Sequence, residues 1–314
     1  MSKSTLLRRL ALASLVANVG LVVTGAAVRL TGSGLGCPTW PKCTDASYTT
    51  TREMGVHGVI EFGNRLLGVV LALIALATFI AALLQKPRRR SLVLLSLAAG
   101  LGIPGQVVLG GITVRTGLNP WVVGLHFLLS MALITATWAL WQRTREGDAP
   151  VRRLVTTPLR QLAALTAAAS AAVIVVGVIV TGSGPHAGDE NAKRNGLDPT
   201  TISQAHADLV FLLIGLSVAL WFALRAVGAP APAVRAAALF VAVELSQGLI
   251  GFVQYFTHLP VALVAAHMLG ACLVWVGTLN VLWRLRDRPS PATPGEELPA
   301  VSPPADEPVP ASVA

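Results

Sequence analysis

The sequence predicts an all-α integral membrane protein with eight transmembrane helices, arranged as two pseudo-symmetric four-helix bundles. Three observations point there. Of 314 residues, 54% are hydrophobic and only 12% charged, and the mean hydropathy of +0.67 is too high for a soluble domain. Apolar segments recur that can each cross a hydrocarbon core of about 30 Å, which takes about 20 helical residues. The second half of the chain also repeats motifs of the first.

The spans fall at 8–30, 56–84, 91–114, 119–142, 161–182, 202–226, 232–256 and 260–284. The first follows Arg8 and Arg9 as a signal peptide would, but its apolar run exceeds a signal core of about 7–15 residues. It counts as helix one. Gly102, Pro104 and Gly105 predict a bend in the third span, where neighbouring helices and water can satisfy the freed backbone groups.

Basic residues set the orientation. Seventeen of the 24 Lys and Arg residues lie at the helix ends shared with the two termini, among them Arg8, Arg9, the KPRRR run at 86–90, and Arg284 to Arg288. By the positive-inside rule both termini are cytoplasmic, in a multi-pass protein of the plasma membrane. The net charge of +9 therefore reports topology and attraction to anionic lipid, not nucleic acid binding. Four regions follow: an N-terminal half (1–142), a cytoplasmic linker (143–160), a C-terminal half (161–288) and a Pro-rich, acidic tail (289–314) that reads as disordered.

The halves align through QVVLGGITVRTGLNPWVVGLHFLLSMAL, from Gln106, and QGLIGFVQYFTHLPVALVAAHMLGACL, from Gln247, which pair His126 with His267. The TGSG at 31–34 pairs with the TGSG at 181–184. Because four helices return the chain to its starting side, the repeat is parallel. Each TGSG then marks an outer helix end, either as a turn out of the membrane or as a place where backbone approaches a ligand.

Histidines inside lipid-embedded helices are costly and face the bundle interior. His57, His126, His206 and His267 all fall near the outer side of their spans, and seven residues into a helix is roughly 10 Å of depth. Imidazoles on facing helices of a bundle are standard axial ligands of haem iron, and His206 with His267 forms such a pair. His186 and His258 fall in outer loops and read as solvated. In the first half, HGVIEFGNRLLG puts His57, Glu61, Asn64 and Arg65 on one helix face. Counted from the downstream Gln, Asn64 is the counterpart of His206, and Asn is a poor iron ligand. Glu61, near the edge of hydrocarbon, suits proton transfer or a salt bridge to Arg65 one turn on.

RLTGSGLGCPTWPKC, EFGNR, LGGITVRTGL with HFLLSMAL, VTGSGPHAGD, QAHADLVFL and VAAHMLGACLVW together resemble the haem A synthase family, over about residues 10–284. The resemblance implies an oxidoreductase that oxidises the C8 methyl of its substrate haem O to a formyl group, with water as oxygen source. It implies haem b on His206 and His267, substrate haem iron on His126, and Glu61 as catalytic carboxylate. The family pattern has His where this chain has Asn64, so five-coordinate binding at His126 is expected, with His57 as the alternative second ligand. Arg65, like Arg29 and Arg115, either pairs with haem propionates or snorkels to the interface. Expected partners are haem O, a haem O synthase, a quinone-type electron acceptor and lipid. The rival is a dihaem b-type cytochrome in quinone-linked electron transfer, which leaves Glu61 without a purpose.

Cys37 and Cys43 lie in the first outer loop, on the oxidising side, which ranks a disulfide first. A zinc knuckle lacks further ligands. A structural lid over the substrate half and a redox-active pair both remain open readings. Cys272, alone in the last helix, reads as a small apolar packer.

Overall fold

A computed structural model describes residues 3–288, and the expected disordered tail, 289–314, lies outside the described residues. Eight helices run Lys3–Leu30 (α1), Gly55–Leu84 (α2), Arg90–Arg115 (α3), Pro120–Arg143 (α4), Thr157–Ser183 (α5), Pro199–Ala226 (α6), Ala231–Phe256 (α7) and Val261–Arg284 (α8). All eight are long and apolar enough to cross a membrane. The expected all-α membrane class is borne out, and α3 runs as one continuous helix through Pro104.

Local chemistry sets the helix starts. Asn119 accepts a hydrogen bond from the Trp121 N–H at 3.0 Å, and Asp198 caps α6 through the Thr201 N–H at 2.7 Å. In both, proline occupies the first helical turn, where its missing donor costs nothing. Gly117 and Gly228, both in the left-handed region, follow α3 and α6 and let the chain turn back.

Within the first half α1 packs on α2 and α4, and α3 packs on α2 and α4; in the second, α5 packs on α6 and α8, and α7 on α6 and α8. Helices α1, α4, α5 and α8 meet along the seam between the halves, filled by Leu15, Val22, Ile134, Trp138, Ile174 and Cys272. Among the described residues, the backbones of α2 and α4 do not come together, nor do those of α6 and α8. Each half is therefore a square of four helices, with α2 diagonally opposite α4 and α6 diagonally opposite α8.

Burial recurs in register. The buried Leu7, Ala11, Ser14, Asn18 and Val22 of α1 reappear 152 residues on as Leu159, Ala163, Thr166, Ser170 and Ile174. For α2 and α6 the offset is 142, from Leu71, Ala75, Thr78 and Ala82 to Leu213, Ser217, Leu220 and Leu224. For α4 and α8 it is 141, from Met131, Thr137 and Leu140 to Cys272, Thr278 and Val281. The TGSG motifs differ by 150, so two residues are absorbed at the outer helix ends and the motifs do not occupy equivalent helical positions. The offset also drops by ten across the first outer loop, which is longer by that amount than its counterpart and carries both Cys37 and Cys43.

At the opposite face, Arg143 pairs with Glu146 (2.8 Å) and Asp148 (2.9 Å), and Arg89 with Asp148 (2.9 Å). The hydrogen bond from Arg89 is the main cause that holds the Asp148 carboxyl below the usual carboxylate range. A two-stranded antiparallel pairing of Arg152–Arg153 with Arg286–Asp287 joins the linker to the end of α8. This face carries most of the basic residues.

Candidate functional site

His206 of α6 and His267 of α8 project from diagonally opposite helices of the second half, close enough to interact electrostatically. Two glycines make the room. A methyl group placed on Gly177 would lie 3.0 Å from Cε1 of His206, and one on Gly251 would lie 3.2 Å from Cε1 of His267. In both rings Nδ1 is buried on the glycine side; that of His267 has no hydrogen-bond partner among the described residues, and the His206 ring lies beside the Val173 backbone. That leaves Nε2 as the nitrogen a metal can reach. Gln247 donates to the His267 carbonyl at 2.8 Å and fixes α7 to α8 at this level.

The first half repeats half of this arrangement. Gly110 lies against Cε1 of His126 as Gly251 does against His267, again at 3.2 Å from a built methyl, and His126 Nδ1 is likewise buried and unpartnered. Gln106 donates to the His126 carbonyl at 3.3 Å and to Ser130 at 2.8 Å. The place of His206, by the α2-to-α6 register, belongs to Asn64, whose Oδ1 accepts from the Thr24 hydroxyl at 2.8 Å. His57 is elsewhere: it is exposed in the first turn of α2, with Nδ1 hydrogen-bonded to Ser33 at 2.9 Å.

Glu61 is buried one turn from Asn64, beneath the first outer loop. Its Oε2 accepts the Cys37 N–H at 2.6 Å and its Oε1 pairs with Arg65 Nη2 at 2.6 Å. Arg65 in turn donates to the carbonyls of Cys37 (3.1 Å), Thr39 (3.3 Å) and Lys42 (3.2 Å). Cys37 and Cys43 are joined by a disulfide, so the pair is not a zinc knuckle. Trp40, at the loop's tip, rests on Gly111 of α3, where a built methyl would come within 2.5 Å of the indole, and Arg115 lies over the Trp40 ring. The loop is thus fastened to α2 and α3 at once.

The outer arginines are engaged with backbone. Arg29 donates to the carbonyls of His186 and Thr181, each at 2.5 Å, and Gly34 N–H donates to Gly188 O at 2.8 Å, so the outer loops of the two halves are stitched together. Arg115 donates to Trp40 O at 3.2 Å. His186, expected to be solvated, is half-buried and its Nε2 meets the Leu259 carbonyl at 3.0 Å, because the loop between α5 and α6 folds over the turn before α8. His258 is exposed as expected.

Residues 8–188 match the family of cytochrome oxidase assembly proteins designated COX15-CtaA. The chain belongs to this family. Curated relatives of this cytochrome oxidase assembly protein carry the name heme A synthase, so the haem A synthase resemblance is borne out. That of Azorhizobium caulinodans is 27% identical over 82% of this chain and 88% of its own length. That of Geobacillus kaustophilus is 30% identical over 42% of this chain, and that of Listeria welshimeri 28% over 41%. Those two matches span only 41% and 44% of the relatives' lengths. With eight apolar spans, this family member is a multi-pass membrane protein.

The family implies a haem-related cofactor, and the residues present fit one. Two neighbouring imidazoles on diagonally opposite helices, each seated on a glycine and with Nε2 free of hydrogen bonds among the described residues, suit a haem iron. The structure also holds a buried carboxyl that the sequence reading passed over. Glu244 of α7 accepts from the Ser217 hydroxyl at 2.9 Å with one oxygen, and its other oxygen is buried without a partner. Its sequence signal was a charged residue in the middle of an apolar span, and it replaces Ile103 of the first half.

Proposed function

We propose that this chain is a haem A synthase, oxidising the C8 methyl of haem O to a formyl group. The observation that carries the proposal is the asymmetry of the two halves. Residues 161–288 offer two neighbouring imidazoles, and residues 1–142 offer one, with an amide in the place of the other and Glu61 one turn from it. The first is an electron-transfer arrangement; the second is a reaction arrangement.

In this reading His206 and His267 hold haem b, which supplies a route for the electrons released. His126 would hold the substrate's iron, and Asn64, at the position that His206 fills in the second half, would supply no second imidazole. His57, with Nδ1 engaged by Ser33, is the less supported second ligand. Oxidation of a methyl by water releases protons as well as electrons, and Glu61 is the nearest carboxylate to take them. Its fastening to Cys37 N–H and Arg65 gives it one fixed orientation. Arg65 acts on the site through the loop it holds, since its Nε and Nη2 are engaged by Glu61 and the Cys37 and Thr39 carbonyls and its Nη1 by the Lys42 carbonyl. The disulfide loop serves as a lid that keeps water access to the substrate half narrow. Both termini are placed in the cytoplasm and the lid on the outer side of the plasma membrane, by the distribution of Lys and Arg. A haem O synthase is the expected supplier and a quinone the expected electron acceptor.

Purified protein supplied with haem O decides between this and a dihaem b-type cytochrome. Extracted haem should contain haem A beside haem b. Haem b alone, with rapid quinol oxidation and no conversion of haem O, would establish the cytochrome instead.

A further inference from the structure

The two halves differ at a matched pair of positions, not at one. By the helix register, Asn64 stands where the second half has His206, and Thr24 stands where it has Val176. The histidine's place is taken by an amide, and the apolar neighbour's place is taken by a hydroxyl that hydrogen-bonds to that amide at 2.8 Å. Both sit beside a glycine of the preceding helix, Gly25 in the first half and Gly177 in the second.

The bond has a direction. The Thr24 hydroxyl donates to Oδ1 at 2.8 Å, closer than to its alternative acceptor, the Leu21 carbonyl at 3.3 Å, and this orients the amide with Nδ2 as its free end. Among the described residues no group accepts from Nδ2, although Asn64 is half-buried within a membrane-spanning helix. The amide therefore keeps a donor free at the position that His206 fills in the second half. By the α4-to-α8 register His126 holds the place of His267, the residue that lies beside His206 in the second half.

We propose that Asn64, oriented by Thr24, donates a hydrogen bond to a small anionic or oxygen-terminated ligand on the side of the first-half haem iron opposite His126. This rests on the reading of the first half as a haem site. It makes Asn64 a ligand-binding residue and Thr24 a positioning residue. The first half then accepts exogenous ligands, and the second, closed by His206 and His267, does not.

Cyanide binding to the purified, haem-loaded protein, followed by absorption and electron paramagnetic resonance, tests this. One haem should take cyanide while the other keeps its low-spin signal. Asn64→Leu and the near-isosteric Thr24→Val should each weaken cyanide binding, by roughly tenfold or more for Asn64→Leu, as expected for loss of a hydrogen bond to a charged ligand. Asn64→His should abolish cyanide binding and give a second low-spin haem. Unchanged cyanide affinity in Asn64→Leu, or two cyanide-inert haems in the unaltered protein, would overturn the proposal. His126→Ala separates this from the underlying reading: it should lose one haem, and unchanged haem content would mean that the first half holds none, and the proposal falls with it.

Discussion

The backbone N–H of Cys37 donates to Oε2 of Glu61 at 2.6 Å, so the disulfide loop and the buried carboxylate are one structural unit. Arg65 closes the unit by joining the other carboxylate oxygen to the carbonyls of Cys37, Thr39 and Lys42. A carboxylate taken out of water is tolerable when its lone pairs are met by charged and backbone donors. Here the loop supplies one donor and accepts from the residue that supplies the others. The second half has Ser203 at the equivalent position and no cysteine in its shorter loop, so the arrangement belongs to one half only.

Loosening the loop should therefore act on the substrate half alone. In Cys37→Ser with Cys43→Ser, haem A formation is expected to fall, by up to about 100-fold if Glu61 loses its orientation. Glu61→Gln should cost on the order of 100-fold or more, the range for removal of a general base. Neither should alter the low-spin spectrum of the haem that we propose for His206 and His267. Measured together, haem A yield and that spectrum distinguish a local effect from misfolding; normal turnover in the double serine variant would show that Arg65 and Trp40 hold the loop unaided.

The buried Glu244 invites a different experiment, on stability. Ser217→Ala removes the one hydrogen bond that the carboxyl makes among the described residues and leaves both oxygens unpartnered in the bundle core, at a cost of about 1–3 kcal/mol. Adding Glu244→Leu removes the unsatisfied group itself, so the double variant should recover much of the loss. Thermal unfolding in detergent reads both. If Ser217→Ala is silent, another donor reaches the carboxyl.

Much of this was legible in the sequence. Spans of apolar residues with Lys and Arg at alternate ends fix eight helices within a few residues, because the bilayer permits no other structure for them. The Gln-to-His interval found His126 and His267, and the structure sets each on a glycine of the adjacent helix. What the sequence could not give was which side chains the loop engages. Arg29, Arg65 and Arg115 look identical as boundary arginines, yet each is committed to particular carbonyls by a loop whose path depends on tertiary packing. The TGSG pair misled slightly, since the motifs align by letter at 150 while the helices beneath them repeat at 152. Only the buried faces reveal Thr24 and Val176 as counterparts. His186 was misread for a related reason: a loop residue is exposed by default, and here the loop folds back on the turn before α8.

Glycines beside His206 and Asn64 give the sharpest contrast between halves. A methyl on Gly177 would sit 3.0 Å from Cε1 of His206, tighter than a relaxed contact, whereas a methyl on Gly25 would sit 4.0 Å from Asn64 Nδ2, at ordinary van der Waals distance. Gly177→Ala should therefore tilt the His206 ring, shift the low-spin signal and midpoint potential of the second-half haem, and lower its occupancy. Gly25→Ala should leave both haems unaltered and, by improving helix propensity, stabilise the protein by roughly 0.5–1 kcal/mol. Redox titration of the two variants against the unaltered protein checks this directly. A Gly177→Ala protein with an unshifted potential would mean that the His206 ring has slack against α5, and that the glycine is needed for helix packing instead of for the histidine.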